Sequence, residues 1–97
     1  MIRFDDGAVA DLERIFEFNL EQELDWALRQ IEKIQSAVMI LEEHPHIGRP
    51  VDGTELRELV ISVGKTGYVA LYQYAELDGL IRVLAVRHQR EAGYRGR

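Results

Sequence analysis

Residues 56–74 read Leu56-Arg57-Glu58-Leu59-Val60-Ile61-Ser62-Val63-Gly64-Lys65-Thr66-Gly67-Tyr68-Val69-Ala70-Leu71-Tyr72-Gln73-Tyr74. Two runs rich in branched and aromatic residues flank a turn that holds two glycines, the pattern of a β-hairpin. A third run, Leu80 to Arg87, follows the tight-turn pair Asp78-Gly79. Three strands joined by short turns predict an antiparallel meander. Strict alternation then assigns faces. Arg57 shares one with Leu59, Ile61 and Val63. Arg87 shares one with Ile81, Val83 and Ala85, while His88 falls opposite with Arg82, Leu84 and Val86. Both faces are apolar mid-sheet, so one is expected beneath a second layer and the other is expected to carry a groove or a partner.

Upstream the period changes. Ala8, Leu12, Ile15, Phe16 and Asn19 follow helical spacing, which predicts an amphipathic helix over about residues 7–18. Asp5 and Asp6 stand before it as an acidic cap. Leu24, Ala27, Ile31, Ile34, Val38 and Leu41 form a continuous apolar seam, predicting a second helix over about residues 22–43 that Pro45 stops. The linker Asn19-Leu20-Glu21-Gln22-Glu23 is short enough for an antiparallel helical hairpin. Ile2-Arg3-Phe4 offers a short edge strand, and Pro45-His46-Ile47-Gly48-Arg49-Pro50 reads as a loop. The expected fold class is α+β, a helical hairpin packed on an antiparallel sheet in the order β-α-α-β-β-β.

The chain has 97 residues, expected to form one domain, with no internal repeat. With 46% hydrophobic and 30% charged residues the composition is that of a globular protein. No cysteine is present, which excludes disulfides, thiolate metal sites and a cysteine nucleophile. No signal peptide is recognised, so the expected location is the cytoplasm, without a membrane partner. Net charge is −5. Residues 1–47 hold 4 basic and 11 acidic residues, residues 48–97 hold 8 and 6, so an acidic half precedes a mildly basic one. Acidity argues against coating nucleic acid.

Four stretches in order resemble the RelE/ParE superfamily of bacterial toxins from type II toxin–antitoxin pairs. They are Ala10-Asp11-Leu12-Glu13-Arg14-Ile15, the segment Leu41 to Pro50, the segment Leu56 to Ile61 leading to Tyr68-Val69-Ala70-Leu71-Tyr72, and Ile81 to Tyr94. Together they span nearly the whole chain. The stretch from Arg87 to Tyr94 is nearer the ParE, plasmid-stabilisation branch. The resemblance implies the hairpin-on-sheet fold, a cognate antitoxin that wraps the toxin, and DNA touched only through that antitoxin. It also implies one of two activities: ParE-like poisoning of DNA gyrase, or RelE-like cleavage of mRNA on the ribosome. An inactive chain that survives as an antitoxin-binding module is a third reading.

In the RelE-like reading the candidate catalytic residues are Arg57, Arg87, His88, Arg90 and Tyr94, set on one side of the sheet. Cleaving RNA without a metal takes a base, an acid and positive charge at the phosphate. Histidine exchanges protons near neutral pH, tyrosine supplies a hydroxyl, and guanidinium grips phosphate oxygens. Otherwise the same residues are contacts for target or antitoxin. The plainer alternatives are an ion pair of Arg57 with Glu55, Glu58 or a helix carboxylate, a strand-end hydrogen bond for His88, and a tail aromatic laid on the sheet for Tyr94. Opposite parity separates Arg87 from His88 unless the strand ends there.

Lysines tip the balance. Only Lys33 and Lys65 occur, neither in mid-strand, whereas ribosome-dependent nucleases of the superfamily typically carry several around their groove. The expected activity is therefore ParE-like and not enzymatic. No cofactor or metal is expected. Glu17, Glu21, Glu23 and Asp25 read as a solvated surface, His44-Pro45-His46 as a loop, and Gly64-Lys65-Thr66 lacks phosphate-loop spacing. Trp26, off the main seam, is either an antitoxin contact or a partly buried anchor.

Overall fold

A computed structural model describes residues 1–91, 93 and 94. Strand β1 (Ile2–Phe4) leads into helix α1 (Asp6–Leu20) and helix α2 (Leu24–Val38), whose last turn tightens into a 3-10 turn (Met39–Glu42). Strands β2 (Arg49–Pro50), β3 (Arg57–Val63), β4 (Thr66–Ala75) and β5 (Leu80–His88) complete a five-stranded sheet of order β1-β5-β4-β3-β2. Two helices thus lie on a mostly antiparallel sheet, as the pattern predicts. The one parallel pair is β1 with β5, Ile2 opposite Ile81.

Local chemistry explains the departures from the predicted bounds. Helix α2 ends before Pro45 because the chain tightens from Met39 onward, and Leu41 is buried by the 3-10 turn instead of an α-helical one. Leu24, first member of the predicted seam, is exposed, so the buried seam begins at Ala27. Asp5 occupies the position before α1, yet its side chain makes no capping bond. Its carboxylate pairs instead with Arg82 on β5 and with Arg3. Arg49-Pro50, predicted as loop, pairs with Arg57-Glu58 as a two-residue edge strand. The β3–β4 turn shrinks to Gly64-Lys65, where Gly64 takes a positive φ of 59° that glycine reaches without strain.

The main core lies between hairpin and sheet. Ala8 and Ile15 of α1 and Ile34 and Val38 of α2 meet Ile61, Val63, Tyr68, Ala70, Tyr72, Ile81, Val83 and Val86. Truncating a fully buried member such as Ile34 to alanine removes about 2–5 kcal/mol. Buried polar groups in this layer are bonded to one another. Tyr68 donates to Gln30 at 2.8 Å, and Trp26 Nε1 donates to Asn19 Oδ1 at 3.0 Å. Asn19 Nδ2 in turn donates to the Ile15 carbonyl. Trp26 is therefore a half-buried anchor between the two helices.

One irregularity corrects the predicted faces. Leu71 lies opposite Ala85, but Tyr72 lies opposite Val83, which leaves Leu84 as an extra residue in β5. This β-bulge resets the alternation. Ile81 and Val83 join Val86 under the helices, whereas Leu84 and Ala85 both turn to the other face. Arg87 therefore does not share a face with Ile81 and Val83, nor His88 with Leu84.

Candidate functional site

The face of the sheet away from the helices carries a second, smaller cluster. Leu71, Leu84 and Ala85 are buried there, with Val51, Leu56 and Tyr94 packed around them. Tyr94 covers this cluster and donates its hydroxyl to Glu58 Oε2. Cross-strand pairing sets Arg49 opposite Glu58, and Arg49 Nε donates to Glu58 Oε1 at 3.0 Å. The Arg87 guanidinium stacks 5.0 Å from the Tyr94 ring centroid and lies 3.9 Å from Glu58 Oε2. Three side chains, from β2, β5 and the C-terminal segment, thus converge on the Glu58 carboxylate of β3.

The electrostatics follow from that convergence. Burial acts upward on the Glu58 carboxyl, but the Tyr94 and Arg49 hydrogen bonds and the Arg87 charge outweigh it, and the net shift is downward. Burial, and next the Glu58 carboxylate, push the Tyr94 phenol well above the ordinary tyrosine range. The pair is an ionised carboxylate holding a neutral phenol. Arg87 is drawn inward further by the carbonyls of His88, Gln89 and Glu91, which accept from its Nη1. Its Nε is buried with no hydrogen-bond partner among the described residues.

The remaining predicted residues lie elsewhere. Arg57 points to the helix-side end of β3, where its Nη1 donates to the carbonyls of His46 and Gly48, at 3.1 and 2.8 Å. It pairs with backbone, not with Glu55, Glu58 or a helix carboxylate. It meets there the Tyr72 hydroxyl, which donates to the Pro45 carbonyl and accepts from Gly48 N. Gly48 is needed in this knot, because a Cβ would lie 2.6 Å from the Tyr72 ring and hydroxyl. His88 stands on the helix side at the end of β5, edge-on to Tyr68 at 5.4 Å between ring centroids. Its Nδ1 accepts from the backbone N of Arg90, whose own side chain is exposed.

The predicted set is therefore not on one side of the sheet. Arg87 and Tyr94 come together on the open face, Arg57 and His88 lie on the helix side, and Arg90 is beyond the strand. Glu58, which unites the open-face group, enters the sequence reading only as a partner for Arg57, and Arg49 only as part of a loop. Parity gives a signal for Glu58 alone: it alternates with Arg57 and so faces away from it, toward Arg87. Among the described residues no cluster of three His, Asp or Glu side chains has the geometry to hold a metal ion. No helix among them is long and apolar enough to cross a membrane.

Comparison with known proteins closes on the same family. Two solved structures share the architecture. The chromosomal ParDE toxin–antitoxin system from P. aeruginosa superposes with a TM-score of 0.73 at 19% identity, covering 90% of this chain and 92% of that one. The intact E. coli RelBE toxin–antitoxin complex gives 0.67 at 14%, covering 94% and 98%. No curated protein sequence matches the chain. The pattern of the family described as "ParE toxin of type II toxin-antitoxin system, parDE" matches residues 2–93. That span takes in β1, both helices, the whole sheet, Glu58 and Arg87, and the chain belongs to the ParE toxin family.

Proposed function

We propose that this protein acts as a ParE-like toxin that inhibits DNA gyrase and is neutralised by a cognate antitoxin. The observation that supports this reading is the engagement of the RNase-type side chains. Arg87 and Tyr94 are tied to Glu58 on one face, while Arg57 is bonded to loop carbonyls on the other. Groups committed to neighbours in this way are poorly placed to receive a phosphodiester, whose cleavage takes an acid, a base and a cation within about 3 Å of the same atoms. The two lysines, one on α2 and one in the Gly64-Lys65 turn, add little positive surface for ribosomal RNA. A protein target demands neither feature. Supercoiling by purified gyrase at rising toxin concentration tests the proposal: loss of supercoiled product is expected, and unchanged activity at saturating toxin would remove it.

The RelE-like reading keeps one specific support, the His88 ring at the end of β5 beside the exposed Arg90. Primer extension on translated mRNA tests it. Codon-positioned cuts that vanish on changing His88 would replace the gyrase reading.

A further inference from the structure

Beyond β5 the chain folds back in a tight turn over residues 88–91. Glu91 N donates to the His88 carbonyl at 3.0 Å, and Arg90 N donates to His88 Nδ1 at 3.1 Å. Gln89 N donates to the Gly67 carbonyl at 2.9 Å, which fixes the turn to β4. The Gln89 side chain lies flat on this point, where a Cβ on Gly67 would come within 2.0 Å of it. Glu91 joins the two layers. Its Oε1 accepts from His88 N at 3.1 Å and from Arg14 Nη1 of α1 at 3.2 Å, and its carbonyl accepts from Arg87 Nη1 at 3.0 Å. One residue therefore holds the helix layer through its side chain and the open face through its backbone.

The result is a continuous polar relay across the molecule. Asp11 accepts from Val86 N and meets Arg14, and Arg14 meets Glu91. Glu91 meets Arg87, and Arg87 stacks on Tyr94, whose hydroxyl rests on Glu58. At one end the Arg14 side chain is 29% exposed on α1, within reach of solvent. At the other, Tyr94 packs over Leu71, Leu84 and Ala85. The turn decides whether the two ends communicate. The carbonyls of residues 88, 89 and 91 point at a single Arg87 nitrogen only while the turn is closed. Arg87 Nε is buried without a hydrogen-bond partner among the described residues, a cost those three acceptors offset. Opening the turn removes them, and the guanidinium then gains by leaving the Tyr94 ring for water. The turn is thus an element with two arrangements that both ends bias.

We propose that the turn of residues 88–91 is a two-state clasp that couples α1 to the open face: when Arg14 leaves Glu91, Tyr94 leaves Glu58 and uncovers Leu71, Leu84 and Ala85. A carboxylate presented to Arg14 from the α1 side would work the clasp from outside. The coupling holds whichever target the toxin poisons. Its test is reciprocal, because coupled sites must each feel the other. In the full chain, Arg14→Gln should move the Tyr94 ring resonances toward those of free tyrosine and raise the binding of an apolar fluorescent dye. Tyr94→Phe should in return speed amide hydrogen exchange at residues 88–91 about tenfold, the equivalent of one hydrogen bond. Arg14 also pairs with Asp11, so Glu91→Gln is the second variant. It spares that pair, keeps an oxygen for His88 N, and should reproduce the effect of Arg14→Gln. Arg3→Gln removes an exposed ion pair outside the relay and should change neither readout. Amide chemical shifts of α2 should stay at their parental positions throughout, which separates an opened clasp from a lost fold. Parental Tyr94 resonances in both Arg14→Gln and Glu91→Gln, or parental exchange at residues 88–91 in Tyr94→Phe, would overturn the proposal. So would α2 shifts as large as those at Tyr94, or an effect of Arg3→Gln equal to that of Arg14→Gln.

Discussion

Glu58 is the centre of the open face because three groups satisfy it at once: a phenol, a guanidinium across the strand pair, and a second guanidinium behind the phenol. Tyr94→Phe removes one bond and leaves the ring in place, so equilibrium urea unfolding should show a loss of about 1–2 kcal/mol. Glu58→Gln should cost more, since it withdraws the counter-charge from an Arg87 side chain that is largely buried. The same group sets a pH dependence. The folded-state pKa of Glu58 lies below its ordinary value of 4.5, so at acid pH the unfolded chain binds the proton first. Its contribution is therefore fully present above that value and is lost as pH falls below it. Asp5, lowered chiefly by its hydrogen bond from Arg82, shifts stability in the same direction. Tyr94, Tyr68 and Tyr72 act at the other end, each raised first of all by burial. Their contribution is present below the ordinary tyrosine value of 10.0 and fades as pH rises through the higher folded values. Thermal melts across pH should fall away on both sides, and Glu58→Gln should flatten the acid limb and, by removing the carboxylate that raises Tyr94, soften the alkaline limb as well.

At the scale of the element, the segment between α2 and β3 is held by side chains more than by pairing. The edge strand Arg49–Pro50 contributes only two residue pairs, while Tyr72 and Arg57 bind four backbone groups of residues 45–48. Gly48→Ala should push the Tyr72 ring aside and break this knot, lowering stability by about 1–3 kcal/mol, read by urea unfolding. Its signature should be faster hydrogen exchange at residues 45–50 with little change in α1. This is also where the sequence was least readable. The helices, the meander and β1 follow from the local pattern of the residues themselves. A two-residue strand has no period of its own and exists only because β3 lies beside it. Glu58 is similar: Leu59, Val60 and Ile61 after it announce a strand, yet nothing within that strand reveals that Tyr94 and Arg49 converge there. Leu24 fails for the opposite reason, since helical spacing records a stripe but not whether the sheet extends far enough to cover its end.

For the whole molecule, the edge on the β1 side is closed by three residues. Met1 O accepts from Ile81 N, and Ile2 to Phe4 run parallel to Ile81 to Val83. Removing residues 2–4 should expose the β5 edge, lower the melting temperature and produce concentration-dependent light scattering, because an unpaired strand edge recruits other strands. The acidic hairpin and the more basic sheet end also divide the molecule by charge, so partners of opposite sign can engage it from different sides. The Leu84 bulge bears on how such a surface diversifies. One residue in the middle of β5 decides which side of the sheet every later side chain of that strand addresses. Deleting Leu84 would restore simple alternation and exchange the positions of Arg87 and His88 between the covered and the open face. Relatives that differ by a single insertion or deletion here would present different chemistry from nearly identical strands, so a residue-by-residue alignment across this point equates side chains that never occupy the same space.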